Sequence, residues 1–97
     1  MIQSFFDRGT EDIFDGEDSL AARRSCPRAI WAVARRKLYQ VHGVTRLESL
    51  RAPPGNRLEK MEGDRAGQHS IRINNQYRVC FIWTEVGPER VEIADYH

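Results

Sequence analysis

The chain has 97 residues, is 40% hydrophobic and 30% charged, and carries a formal net charge of +1. That length and composition suit one globular domain with a modest core and exclude a disordered or low-complexity chain. No apolar run approaches the ~20 residues that span a bilayer, and Met1 to Phe6 lacks the basic and long apolar regions of a signal peptide, so the expectation is a cytoplasmic protein, one domain over residues 1–97, with no membrane partner.

In chain order, Ile2, Phe5 and Phe6 supply the apolar content of a strand over residues 1–6. Asp7 is placed to cap a short helix through about Asp15, with Ile13 and Phe14 facing inward. Gly16 to Ser25 is polar and charged and reads as a loop. The clearest helix runs from Pro27 to about His42. Ser25 is its candidate N-cap, proline is tolerated in a first turn, and Gly43 is placed to end it. Ile30, Val33, Ala34, Leu38 and Val41 recur at helical spacing and define its buried face. Arg28, Arg35, Arg36 and Lys37 fall mostly elsewhere on the cylinder, and Trp31 falls off the stripe, packing under the N-terminal segment or marking a partner surface. Thr45 to Leu50 has room for one or two helical turns. Ala52 to Asn56, with two prolines and a glycine, is a loop.

Beyond that loop the apolar period changes to two. Strands are expected at Arg57–Met61, Gln68–Ile73, Tyr77–Thr84 and Glu89–Ala94, with turns at residues 62–67, Asn74-Asn75 and Val86-Gly87-Pro88. Consecutive strands with short links pair antiparallel. The expected class is α+β: an antiparallel sheet of about four to five strands with the N-terminal helices packed on one face.

Charge is unevenly spread. Residues 1–22 carry net −5, residues 23–51 net +7 and residues 52–97 net −1. The basic middle either forms a patch attractive to phosphate or is balanced in space by the acidic N-terminal third. Two cysteines make no disulfide framework, and Cys80, within a strand, reads as a small buried apolar residue. Histidines at 42, 69 and 97 show no metal-ligand spacing, so neither a metal nor another cofactor is expected.

The chemistry-bearing residues gather in the C-terminal half. Strand alternation sets Arg72 against Ile71 and Ile73, and Arg78 against Val79, so both arginines point away from the helices toward a shallow basic cleft near the chain's end. Cutting RNA without a metal needs a proton removed from the 2′-hydroxyl, cations around the crowded phosphorane and a proton returned to the 5′-oxygen. Arg suits the phosphate, His suits either proton transfer, and aromatic rings hold bases by stacking. Arg72, Tyr77, Arg78, Tyr96 and His97 supply these types. Each alone also has a plainer reading: a solvated strand arginine, a half-buried sheet tyrosine, a tail that happens to stop there.

Three segments carry a resemblance: Pro53-Pro54-Gly55-Asn56-Arg57-Leu58, the run from Gly63-Asp64-Arg65-Ala66-Gly67 through Ser70-Ile71-Arg72-Ile73-Asn74-Asn75-Gln76-Tyr77-Arg78, and Val91 to Asp95-Tyr96-His97. Together they resemble the HigB branch of the RelE-type toxins of bacterial toxin–antitoxin operons. The resemblance implies a microbial-RNase-like α+β fold and an mRNA interferase, an endoribonuclease that cuts translated message in the ribosomal decoding A site and so arrests growth. It also implies neutralisation by a HigA-like helix-turn-helix antitoxin, with operator DNA engaged only through the toxin–antitoxin complex.

The family's terminal Asp-Tyr-His falls on Asp95, Tyr96 and His97, and its strand arginine on Arg78. Its usual tryptophan before that arginine is Tyr77 here. Lys60, Arg65 and Asn75 join Arg72 and Tyr77 as expected RNA contacts. Some members carry a histidine and a lysine before the Gly-Asp-Arg turn. This chain instead has Glu59 and Glu62 flanking Lys60, which makes Glu59 the candidate general base and leaves Glu62 beside it as a solvated turn residue or an alternative. Two other readings stand: a non-catalytic nucleic-acid- or protein-binding module using the basic helix, and a ribonuclease that needs no ribosome. Near-neutral net charge argues against the latter, because free RNA binding leans on phosphate contacts.

Overall fold

A computed structural model describes residues 1–96. Two helices, α1 (Arg8–Asp15) and α2 (Leu20–Ser25), form an antiparallel pair ahead of the longer α3 (Trp31–Gly43). Short 3₁₀ turns cover Arg28–Ile30, Leu47–Arg51 and Gly63–Arg65. The strands are β1 (Glu59–Lys60), β2 (His69–Arg72), β3 (Tyr77–Thr84) and β4 (Gly87–Asp95), and they pair antiparallel in sequence order. The α+β class and the sheet with helices on one face are as the sequence pattern indicates. The main core lies between them: Ile13, Leu38, Val41 and Leu50 meet Ile71, Val79, Phe81, Val91 and Ile93.

Several local expectations change. Residues 1–6 make a single parallel bridge, Phe5 to Val91, rather than a strand. Gln3 and Phe6 still donate backbone N–H to Pro88 and Val91, so the segment covers the first half of the outer edge of β4. The expected loop Gly16–Ser25 contains α2, capped by Ser19, whose Oγ accepts from the Ala22 amide at 3.0 Å. Only close packing on α1 sustains so short a helix: a Cβ on Gly9 would stand 2.4 Å from the Ala21 carbonyl oxygen. Ser25 therefore ends α2 instead of capping the next helix, which begins as a 3₁₀ turn and becomes α-helical at Trp31. The strand expected at Arg57–Met61 shrinks to Glu59–Lys60, because Arg57 takes a left-handed φ of +47°.

Trp31 packs half-buried against the core and donates its indole N–H to the Cys26 carbonyl. Lys37 is buried rather than solvated. Asp7 caps α1 as expected, accepting from the Thr10 amide. The β3–β4 turn sits one residue early, at Glu85-Val86, where Thr84 Oγ1 accepts from Val86 and donates to the Gly87 carbonyl. No helix among the described residues is long and apolar enough to cross a membrane.

One buried hydroxyl ties the layers together. Thr10 Oγ1, fully buried on α1, accepts the Ile93 amide of β4 at 2.9 Å and donates to Asp7 at 2.7 Å. Thr10→Val keeps the shape but leaves that amide unsatisfied, so denaturant unfolding is expected to show a loss of about 1–3 kcal/mol.

Candidate functional site

Strand alternation divides the C-terminal residues between two faces. Arg78 stands opposite Ala94, Cys80 opposite Glu92, and Ser70 opposite both Cys80 and Glu59, all on the face away from the helices. That face has its own small buried cluster of Met61, Cys80 and Ala94. Tyr77 and Asp95 are cross-strand partners on the other face. Adjacent residues of a strand cannot share a face, so the sequence itself separates Tyr77 from Arg78 and Asp95 from Tyr96.

Arg78 is not an open cation lining a cleft. It is 8% exposed. Its Nε donates to Ser70 Oγ at 2.7 Å, and its Nη2 donates to the Arg57 carbonyl at 2.7 Å and to the Ser70 carbonyl at 3.5 Å. Glu59, exposed at the sheet edge, brings a carboxylate oxygen to 3.9 Å from the same Nη2. Arg72 lies directly across from Arg78, a like-charge pairing that costs stability unless the charges are diverted. Arg78 is diverted into its carbonyl and hydroxyl acceptors, while Arg72 turns to Asn75 Oδ1.

Arg65 reaches across from the 3₁₀ turn before β2. Its Nη1 donates to Glu92 at 2.7 Å and to Gln68 at 3.1 Å, and the Glu92 hydrogen bond is the main force raising its pKa. Its charge is thus compensated within the protein. Tyr96 is exposed, lies within electrostatic reach of Arg65, and extends the β-ladder by donating its amide to the Gln76 carbonyl at 2.7 Å. Asp95 accepts from the Gln76 side chain at 3.0 Å, at the same end of the sheet. Tyr77 packs against the main core, and burial, then Asp95, then Cys26 raise its phenol pKa. Lys60 is exposed on the edge strand opposite His69. His97 lies outside the described residues. A groove of about 520 Å³ between α1–α2 and β4 has Arg65, Glu92 and Asp95 in its wall.

The structure therefore brings together Arg78, Glu59, Ser70 and, further along the same face, Tyr96 and Arg65. It does not bring Tyr77 or Asp95 to that face. Ser70 and the Arg57 carbonyl were missed. Ser70 had a signal, standing two residues before Arg72 on the same strand face. The Arg57 carbonyl had none, because a backbone acceptor leaves no mark in a sequence.

The family described as "RelE-like toxin of type II toxin-antitoxin system HigB" matches residues 3–97. Toxin HigB-1 of Vibrio cholerae serotype O1 is 35% identical over 85 residues, covering 88% of this chain and 86% of that protein. An uncharacterized protein of Haemophilus influenzae is 36% identical over 55 residues, 57% of this chain and 54% of its own. Among solved structures, a chain of the YoeB-YefM complex from Staphylococcus aureus superposes with a TM-score of 0.59 over 100% of this chain and 98% of its own, at 13% identity, a likeness of fold alone. The fold and family are thus those of a RelE-like toxin. The chain belongs to the HigB family of type II toxin–antitoxin toxins.

His69, on the helix side of β2, stacks at 6.5 Å on Phe81, and its buried Nδ1 has no hydrogen-bond partner among the described residues. Burial, then Lys60 and Arg51, lower its pKa. The fold thus favours neutral imidazole over the ordinary state, which titrates near 6.5. This contribution to stability is complete above about pH 6.5 and is lost as pH falls through the lowered value. His69→Phe keeps the ring stack without the titration. Its melting temperature is expected to fall less than wild type between pH 7 and pH 5, as thermal scans would show.

Proposed function

We propose that this toxin is a ribosome-dependent mRNA endonuclease that uses the 2′-hydroxyl and no metal, with residues 1–97 acting as one toxin domain in the cytoplasm. The observation that carries the reading is the fixed Arg78 guanidinium beside Glu59 on the sheet face free of helices. A carboxylate and a cation within 4 Å of each other match the first half of the reaction. Glu59 takes the 2′-hydroxyl proton, the 2′-oxygen attacks the adjacent phosphorus, and Arg78 offers charge to the phosphorane oxygens. Its Nη1 makes no hydrogen bond among the described residues. His97 gives the departing 5′-oxygen its proton, leaving a 2′,3′-cyclic phosphate and a free 5′-hydroxyl.

Asp95 and Tyr96 set the environment of that histidine. Arg72, Lys60, Arg65, Asn75 and Tyr77 bear on RNA placement. For Arg65 and Tyr77 the support is indirect, since one is paired to Glu92 and the other packs into the core. The partners are the ribosome with its message and a HigA-like helix-turn-helix antitoxin, which carries the complex to operator DNA.

Purified toxin is expected to cut a message programmed in ribosomes and to leave the same naked RNA largely intact. Equal cutting of both would favour a free ribonuclease, and cutting of neither would favour a binding module. Arg78→Lys keeps the charge but loses the Nε and Nη2 tethers, so growth arrest by that variant should be nearly as weak as by Arg78→Ala. Deleting His97 is expected to slow cleavage by a factor on the order of 10²–10⁴. A wild-type rate in the deletion would remove His97 from the chemistry.

A further inference from the structure

Arg78 is hydrogen-bonded to a loop that is itself anchored on the helix layer. Asn56, fully buried in the loop before β1, uses every polar group it has. Its Oδ1 accepts from Lys37 Nζ at 2.5 Å, and its Nδ2 donates to Gln40 Oε1 at 2.9 Å and to the Leu50 carbonyl at 3.0 Å. Its amide donates to the Pro53 carbonyl at 3.3 Å, and its own carbonyl accepts the Arg72 amide at 2.6 Å. The Asn56 side chain thus fastens α3 to the 3₁₀ turn Leu47–Arg51, and its backbone carbonyl ties the loop to the edge of β2. The next residue, Arg57, takes a φ of +47°, and its carbonyl accepts from Arg78 Nη2. A left-handed arginine is strained and persists only where its surroundings impose it.

Lys37 supplies the other end. It is 7% exposed on α3, and no carboxylate lies within 4.0 Å of its amine among the described residues. Burial, then Arg36 and Arg72, lower its pKa. A buried amine without an acid is costly to keep, and a methionine would fill the same space.

We propose that Lys37 and Asn56 are positioning residues for Arg78: their buried bond locks the loop that presents the Arg57 carbonyl, and so fixes where the guanidinium stands. The catalytic purpose rests on the nuclease reading above, whereas the positional claim does not.

The test reads both in the full chain. The buried Arg78 Nε–H, bonded to Ser70, is suited to detection as a ¹⁵N–¹H resonance. Lys37→Met is expected to shift or broaden that resonance while the core amide signals persist, and to lower kcat on ribosome-bound message by up to about 10²-fold with KM little changed. A merely structural lysine would lower the melting temperature and leave both the resonance and kcat in place, and that result would overturn the proposal. Should Lys37→Met not fold, Lys37→Gln carries the same test: its side chain is too short to hold Asn56 Oδ1 as the amine does, so the resonance should broaden in a folded protein, and an unchanged resonance there counts against the proposal equally. A wild-type protein that cuts no message would fail the nuclease reading, and the resonance alone would then decide the positional claim.

Discussion

Arg78 is a guanidinium held inside a sheet, between a fully buried valine on its own strand and a small apolar cluster on its own face. Burying such a charge costs several kcal/mol unless its donors find acceptors. The surrounding chain supplies them. Ser70 is a serine in the middle of β2 because Arg78 Nε needs an oxygen there. The loop before β1 turns left-handed at Arg57, strand pairing is absent there, and the Arg57 carbonyl accepts from Nη2. β1 is consequently two residues long, and it leaves Glu59 at the rim of the same site. The helix-facing side of β3 is ordinary by comparison, with Val79 and Phe81 closing the main core.

The basic middle of the chain is paired partly with acids of the N-terminal third and partly with its own Glu48, which lies 3.7 Å from Arg46. Asp18 pairs with Arg23 and Arg28, while Asp12 accepts from the Ser19 hydroxyl and from Arg8, which in that order hold its carboxyl below the ordinary range. Farther along, Lys37 feels Arg36 and Arg72, and His69 feels Lys60 and Arg51. Like charges thus lie near one another at the β1–β2 edge and on the second half of α3, although the net charge is close to zero. The pairing of Asp18 with Arg23 and Arg28 supports the reading in which the acidic N-terminal third balances the basic stretch.

Much of this was legible in the sequence. Period-two alternation in Tyr77–Thr84 and the 3.6-residue stripe through Ala34, Leu38 and Val41 are local consequences of which side chains must leave water, so class, strand order and the buried face of α3 followed from them. The motif set around Gly63–Gly67, Ile71–Arg78 and Asp95-Tyr96-His97 identified the family, which the residue 3–97 match shows. Alternation also held the information that Tyr77 and Arg78 diverge, although the motif made them look like one unit.

What only the tertiary structure decided depends on partners distant along the chain. α2 is too short to stand alone and exists because Gly9 lets it approach α1. Lys37 reads as one more cation on a helix surface until Asn56, 19 residues on, supplies its acceptor. Arg78 reads as an exposed strand arginine until Ser70 and the Arg57 carbonyl close around it, 8 and 21 residues back. Periodicity reports which way a side chain points. Whether a charge so pointed meets water or a buried oxygen is set by the rest of the chain folding over it.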